Sequence, residues 1–146
     1  MINDTIDANG VLSIVVRDEN GNIKEELNLT NLVVTAGLTY IASRMTGTSA
    51  TVMSHMAVGS GSTPAALADT ALGSQLGRVA LTSSTPTANS VAYVATFPAG
   101  TGTGAITEAG IFNASSGGTM LCRTVFDVVN KAAGDSMTIT WTVTVS

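Results

Sequence analysis

Few side chains in this sequence are equipped for chemistry, and they lie far apart. His55 is the only histidine and sits in an apolar run with Met53, Met56 and Val58. Cys122 is the only cysteine. A Cys–His nucleophile pair needs folding to bring these two together. One imidazole and one thiol do not supply the three or four soft ligands of a zinc site. Hydrolysis would need paired carboxylates, and Asp69, Glu108 and Asp127 could pair only through folding. Glu108 and Arg78 each interrupt a mostly apolar strand. They form an ion pair with each other or with Arg123, or they are two solvated strand residues. No catalytic, metal-binding or cofactor-binding residue emerges, and no enzymatic activity or cofactor is expected.

Three short motifs have simpler explanations. Gly59-Ser-Gly-Ser-Thr-Pro64 has the glycines of a phosphate loop without its Lys-Ser/Thr ending, so it is a plain loop. Asp18, Asn20 and Asn22 alternate like the opening of a calcium loop. However, the glycine falls at the fourth position and no glutamate stands at the twelfth. Asn3-Asp-Thr5, Asn28-Leu-Thr30 and Asn113-Ala-Ser115 match the glycosylation tripeptide, as expected by chance in a chain rich in threonine and serine.

The chain's composition sets the frame for these residues. Its 146 residues suit one domain, 1–146, with an N-terminal hairpin and helix over 1–47 and a β body over 48–146. Hydrophobic residues make up 45 % and charged residues only 11 %; a typical soluble domain has about 25 % charged. The net charge is −4 and the pI about 4.6, with no basic stripe, which argues against a nucleic-acid partner. A single cysteine rules out an intrachain disulfide. No apolar run approaches a membrane span, and the first residues lack signal-peptide character, so synthesis in a cytoplasm is expected.

The elements that must position these residues are mostly strands. The clearest is the terminal run Met137 to Ser146. Ile139, Trp141, Val143 and Val145 fall on one face, and Thr138, Thr140, Thr142 and Thr144 on the other. Val11–Arg17 and Ile23–Leu29 form a hairpin across Asn20-Gly21, with Ile23, Leu27 and Leu29 inward and Glu25 interrupting. Thr35 caps a helix over 35–46 that Gly47 stops. Its stripe of Leu38, Ile41, Ala42 and Met45 lies on the sheet. Further strands are expected at Met53–Val58, Leu76–Ser83, Ser90–Phe97, Ile106–Asn113 and Thr119–Asp127, with a helical turn within Ala65–Gly73. About eight strands with frequent turns predict a mainly β, antiparallel sandwich carrying one short helix.

The ordered set of segments is similar to a known family. These are Asn31-Leu-Val-Val-Thr-Ala-Gly37 with Ile41-Ala-Ser-Arg-Met45, and Met56-Ala-Val-Gly-Ser-Gly-Ser-Thr-Pro64 with Asp69-Thr-Ala-Leu72 and Arg78. Ile106-Thr-Glu-Ala-Gly-Ile-Phe112 with Gly118-Thr-Met-Leu-Cys-Arg123 and the Trp141 strand complete it. Together they resemble the tail-fibre-like domain of tailed-bacteriophage fibres and capsid-decorating proteins. The resemblance covers nearly the whole chain and implies a non-enzymatic structural protein of the virion, assembled in the host cytoplasm. Expected partners are further copies of itself, as a homotrimer, and other virion proteins such as the major capsid protein or tail proteins. Neither nucleic acid nor membrane is expected; a host surface glycan is the remaining candidate ligand. A capsid decoration or cement role leads. The alternatives are a tail-fibre or baseplate part and, from another class, a carbohydrate-binding module or small glycan hydrolase. The threonine face of the terminal strand is expected at a subunit contact or exposed on the particle.

Overall fold

The computed structural model describes residues 7–47 and 51–146; the Asn3 tripeptide lies outside them. Nine strands form one antiparallel sheet in the order β4-β3-β7-β8-β2-β1-β9-β6-β5. The strands are β1 (Ala8–Arg17), β2 (Ile23–Val33), β3 (His55–Gly59), β4 (Gln75–Ala80), β5 (Ser83–Thr87), β6 (Ser90–Phe97), β7 (Gly104–Phe112), β8 (Met120–Lys131) and β9 (Ser136–Val145). Among the described residues the one helix, α1, spans Thr35–Arg44.

The sheet is folded over on itself in a half-barrel, and β2 makes the corner. Most of β2 pairs with β1, and its last residues, Leu32 and Val33, pair with Arg123 and Cys122 of β8. One layer is therefore β5-β6-β9-β1-β2 and the other β8-β7-β3-β4. Mainly β, antiparallel and sandwich-like, this is the architecture expected from the alternation.

Trp141 stands at the centre of the core. It pairs with Leu12 of β1 and Tyr93 of β6, and none of its surface is exposed. Ile139 and Met137 continue the same face into the interior, where Ile106, Ile111 and Met56 meet them from the other layer. Burying one large apolar side chain contributes roughly 1.5–3 kcal/mol. This shared core holds the layers closed, together with the corner strand and the chain connections that cross between them.

Several local expectations are corrected. The described residues hold nine strands, close to the eight or so expected. Leu76–Ser83 is not one strand: β4 stops at Ala80, and a separate edge strand, β5, starts at Ser83. β5 carries Pro86, which an edge tolerates because its outer side needs no ladder bond. The helix ends at Arg44 rather than 46, and Met45 to Gly47 form a turn, with Gly47 at φ +67°. Thr35 does not cap it. Val34 holds the cap position without a side-chain bond, and the Thr35 N–H donates to the Leu67 carbonyl at 2.8 Å. A backbone acceptor thus replaces the hydroxyl.

The helix stripe is only partly buried. Leu38 is 41 % and Met45 80 % exposed. Contact with β8 is made instead through Gly37, where a Cβ would strike the Leu121 carbonyl oxygen. Ile23 is also exposed, because a register shift between Val16 and Arg17 turns the start of β2 outward. Residues 65–73 hold a turn closed by Asp69, whose carboxylate accepts the Ala66 N–H at 2.9 Å, and no helix.

Candidate functional site

The polar residues read as candidate chemistry meet on the outer side of the second layer. Glu108 is fully buried on β7, and Arg123 on β8 is 2 % exposed. Arg123 Nη1 donates to Asp69 Oδ2 at 2.9 Å and Nη2 to the Thr63 carbonyl at 3.1 Å. Its Nε lies 3.7 Å from Glu108 Oε1, an ion-pair distance without a hydrogen bond. Glu108 accepts instead from Gly73 N–H, at 2.6 Å, and Ser74 N–H, at 3.2 Å. Of the two arginines considered as partners for Glu108, Arg123 is the one at ion-pair distance. Arg78 turns away. It bonds Gln75 and the carbonyls of Ala114 and Gly117, and its guanidinium lies 3.8 Å from the Phe112 ring centre.

Glycines make room for this cluster. A Cβ on Gly59 would come within 3.1 Å of the Glu108 carboxyl carbon, and one on Gly73 within 3.2 Å of Oε2. The loop read as plain, with the segment after it, is therefore pinned to the sheet by one carboxylate and one guanidinium. Removing Arg123 leaves Glu108 buried without its charge partner, whereas removing Glu108 leaves Arg123 with Asp69. The cluster joins loop to sheet; the third acid, Asp127, is exposed on β8, roughly 13 Å along the strand from Arg123.

His55 and Cys122 do not meet. Met56 pairs with Ile111, which pairs with Cys122, and all three face the core. His55, next to Met56, therefore points to the opposite face, where its Nδ1 lies 2.8 Å from Ser54 Oγ. Burial pushes the Cys122 thiol well above the usual cysteine range. Among the described residues, no group of three His, Cys, Asp or Glu side chains could hold a metal. Asp18 accepts the N–H groups of Asn20 and Asn22, both at 2.9 Å, so it closes the hairpin turn. Buried polar groups that the sequence did not single out include Lys131, Asp135 and Asn31. Lys131 is 2 % exposed and donates to the Pro98 carbonyl at 2.9 Å. The Asn31 side chain lies against Gly10, with no hydrogen-bond partner for its buried amide atoms.

A broad surface is formed by the outer face of the first layer. The register lines its side chains into rows across the strands. One row runs Thr30, Val11, Thr142, Ala92, Thr85, and the next Asn28, Ser13, Thr140, Val94, Ser83. Glu26, Val15, Thr138 and Thr96 flank them on one side, and Asn9, Thr144, Ser90 and Thr87 on the other. Glu26, at a corner, is the only ionisable side chain in these four rows; Arg17 and Lys24 lie beyond them at the hairpin end. Surfaces of soluble domains are usually about 25–35 % charged. Hydroxyls on this face bond one another, Ser90 to Thr144 at 2.8 Å and Thr96 to Thr138 at 3.0 Å. An open hollow of about 650 Å³ runs over β2, β1 and β9, lined by Val11, Ser13, Asn28, Thr30, Thr140 and Thr142 among others.

The aromatic side chains serve the interior. Trp141, Phe97, Phe112 and Phe126 are buried and Tyr40 and Tyr93 half-buried. Desolvation, with lesser effects of Tyr40 and Cys122, pushes the Tyr93 phenol up to about 12. Among the described residues no helix is long and apolar enough to cross a membrane. No protein family, curated protein or solved structure matches this chain.

Proposed function

We propose that this chain is a non-enzymatic structural protein of a bacteriophage particle, working by surface contact as a capsid decoration protein. The observation that carries the reading is the broad face of β5, β6, β9, β1 and β2, almost free of charge and covered in hydroxyls and small apolar groups. Such a surface meets another protein without stripping water from ions, the step that makes charged interfaces expensive. The resemblance of the ordered segments to phage fibre and decoration domains supplies the particle context. A fold hosts many functions, so the weight rests on this face and not on the sandwich.

The arrangement of the remaining groups supports the same reading. Glu108, Arg123 and Asp69 are committed to holding a loop, and His55 and Cys122 lie on opposite faces of the sheet. A stacking platform for sugar rings needs exposed aromatics, and the six aromatic residues are buried or half-buried. Quantitative mass spectrometry of purified particles tests the proposal. A decoration role predicts on the order of hundreds of copies per particle, as repeated capsid symmetry requires. A few to tens of copies indicate a tail part instead, and absence from the particle overturns the reading.

A further inference from the structure

We infer that the threonine face of the β5-β6-β9-β1-β2 layer is a homotypic interface, occupied by the same face of a second copy of this chain. The inference rests on the reading of this protein as one that works by surface contact, and it names the partner.

The charge pattern selects that partner. The chain carries a net charge of −4, so two copies repel through most of their surfaces. The threonine face carries Glu26 alone, at a corner, and brings no like charges together at its centre. A partner recognised by opposite charge would find nothing to pair with there. Threonine and serine hydroxyls are donors and acceptors at once. A face built from them is complementary to itself, which is the requirement of a twofold contact.

Size and coverage agree. Four rows on five strands span roughly 27 by 24 Å, a projected area of about 650 Å². A standard interface takes about 800 Å² of accessible surface from each partner. The outer face of the other layer is already covered within the chain. There Val34, Ala57, Phe112 and Met120 are buried beneath Ala36 of α1 and Leu72 of the pinned segment. The threonine face has no such cover, and Val11 near its middle is 53 % exposed. Identical faces close with twofold symmetry, so this contact makes a dimer, whereas the family resemblance implies a trimer.

Sedimentation equilibrium of the full chain over a wide concentration range tests the inference. The wild type is expected at dimer mass. Val11→Glu and Thr140→Glu each place like charges across the contact and are expected to weaken association at least about a hundredfold. Asn20→Glu, which adds the same charge at the hairpin tip, leaves the dimer intact. Both face positions are exposed, and unchanged melting verifies that the variants fold. A monomeric or trimeric wild type, or a dimer that persists in Thr140→Glu, overturns the inference. Particle copy number separates the two proposals. A monomer present in hundreds of copies defeats the interface alone, and a dimer absent from particles defeats the function alone.

Discussion

Gly61 and Glu108 share one small space: a Cβ on Gly61 would run into Oε2 of the buried carboxylate. The pinned loop closes this tightly because the glycine has no side chain. Gly61→Ala must push the loop or the carboxylate away, and the Gly73 and Ser74 N–H bonds weaken with it.

Glu108→Ala removes the acceptor of the Gly73 and Ser74 N–H groups and one of the two carboxylates beside Arg123, which keeps Asp69. Leaving a buried N–H donor without its acceptor costs about 1–3 kcal/mol each. Calorimetry is expected to show a drop in Tm of roughly 10 °C or more for a chain of this length. A shift of only a degree or two would mean that the cluster contributes nothing to stability.

Trp141 separates packing from hydrogen bonding. Its indole Nε1 is buried without a partner. Trp141→Ala leaves a large cavity and is expected to cost about 3–5 kcal/mol. Trp141→Phe keeps much of the volume and deletes the unsatisfied donor, so its cost should be clearly smaller. Denaturant melts of both variants check the order, and equal losses would contradict it.

Cys122 should be chemically silent while the chain is folded. The thiol is buried, and burial holds it in the neutral form. An aromatic disulfide reagent at pH 8 is expected to label it only after denaturant is added. Rapid labelling of the native protein would place the thiol at the surface.

Acid should loosen the turn between β8 and β9. Lys24 Nζ lies 2.6 Å from Asp135 Oδ2, and the Ala132 N–H donates to the same carboxyl at 2.9 Å. The Lys24 bond first, then the Ala132 bond, holds Asp135 below the ordinary aspartate value, while Asp135 raises Lys24. A lowered acid stabilises the fold fully above its unfolded value, near pH 4, and loses that contribution as pH falls through the folded value. The raised lysine contributes fully below about pH 10 and loses it above. Lys24→Met should therefore flatten the acid limb of Tm against pH. An unchanged slope below pH 4 would show that the pair is not coupled to folding.

Much of this fold was legible because β9 alternates so strictly: Ile139, Trp141 and Val143 are buried, with threonines between them on the open side. β5 was not. Ser83-Ser-Thr-Pro-Thr87 has the composition of a turn, and it becomes a strand by pairing with β6 across Ala88 and Asn89, with Ala88 at φ +51°. The helix pattern misled because Gly37, rather than Leu38, permits the closest approach to β8. The types in the buried cluster stood out in the sequence as charges in apolar strands. Their pairing did not, because Asp69 and Gly73 reach Glu108 and Arg123 only through the path of a loop. The charge-free face was half visible: the threonines of β9 were plain, but their neighbours from β6, β1 and β2 depend on register.

The order of strands also governs synthesis. β9 is the last of the nine strands to leave the ribosome, yet it lies between β6 and β1 and carries the central ring of the core. Asp7 and Ser146 then close the ladder with reciprocal backbone bonds of 2.7 Å. Until β9 emerges, β1 and β6 each expose an unpaired edge over an unfilled interior. The nascent chain therefore has to be kept from aggregating until β9 has been made, and this layer closes only then.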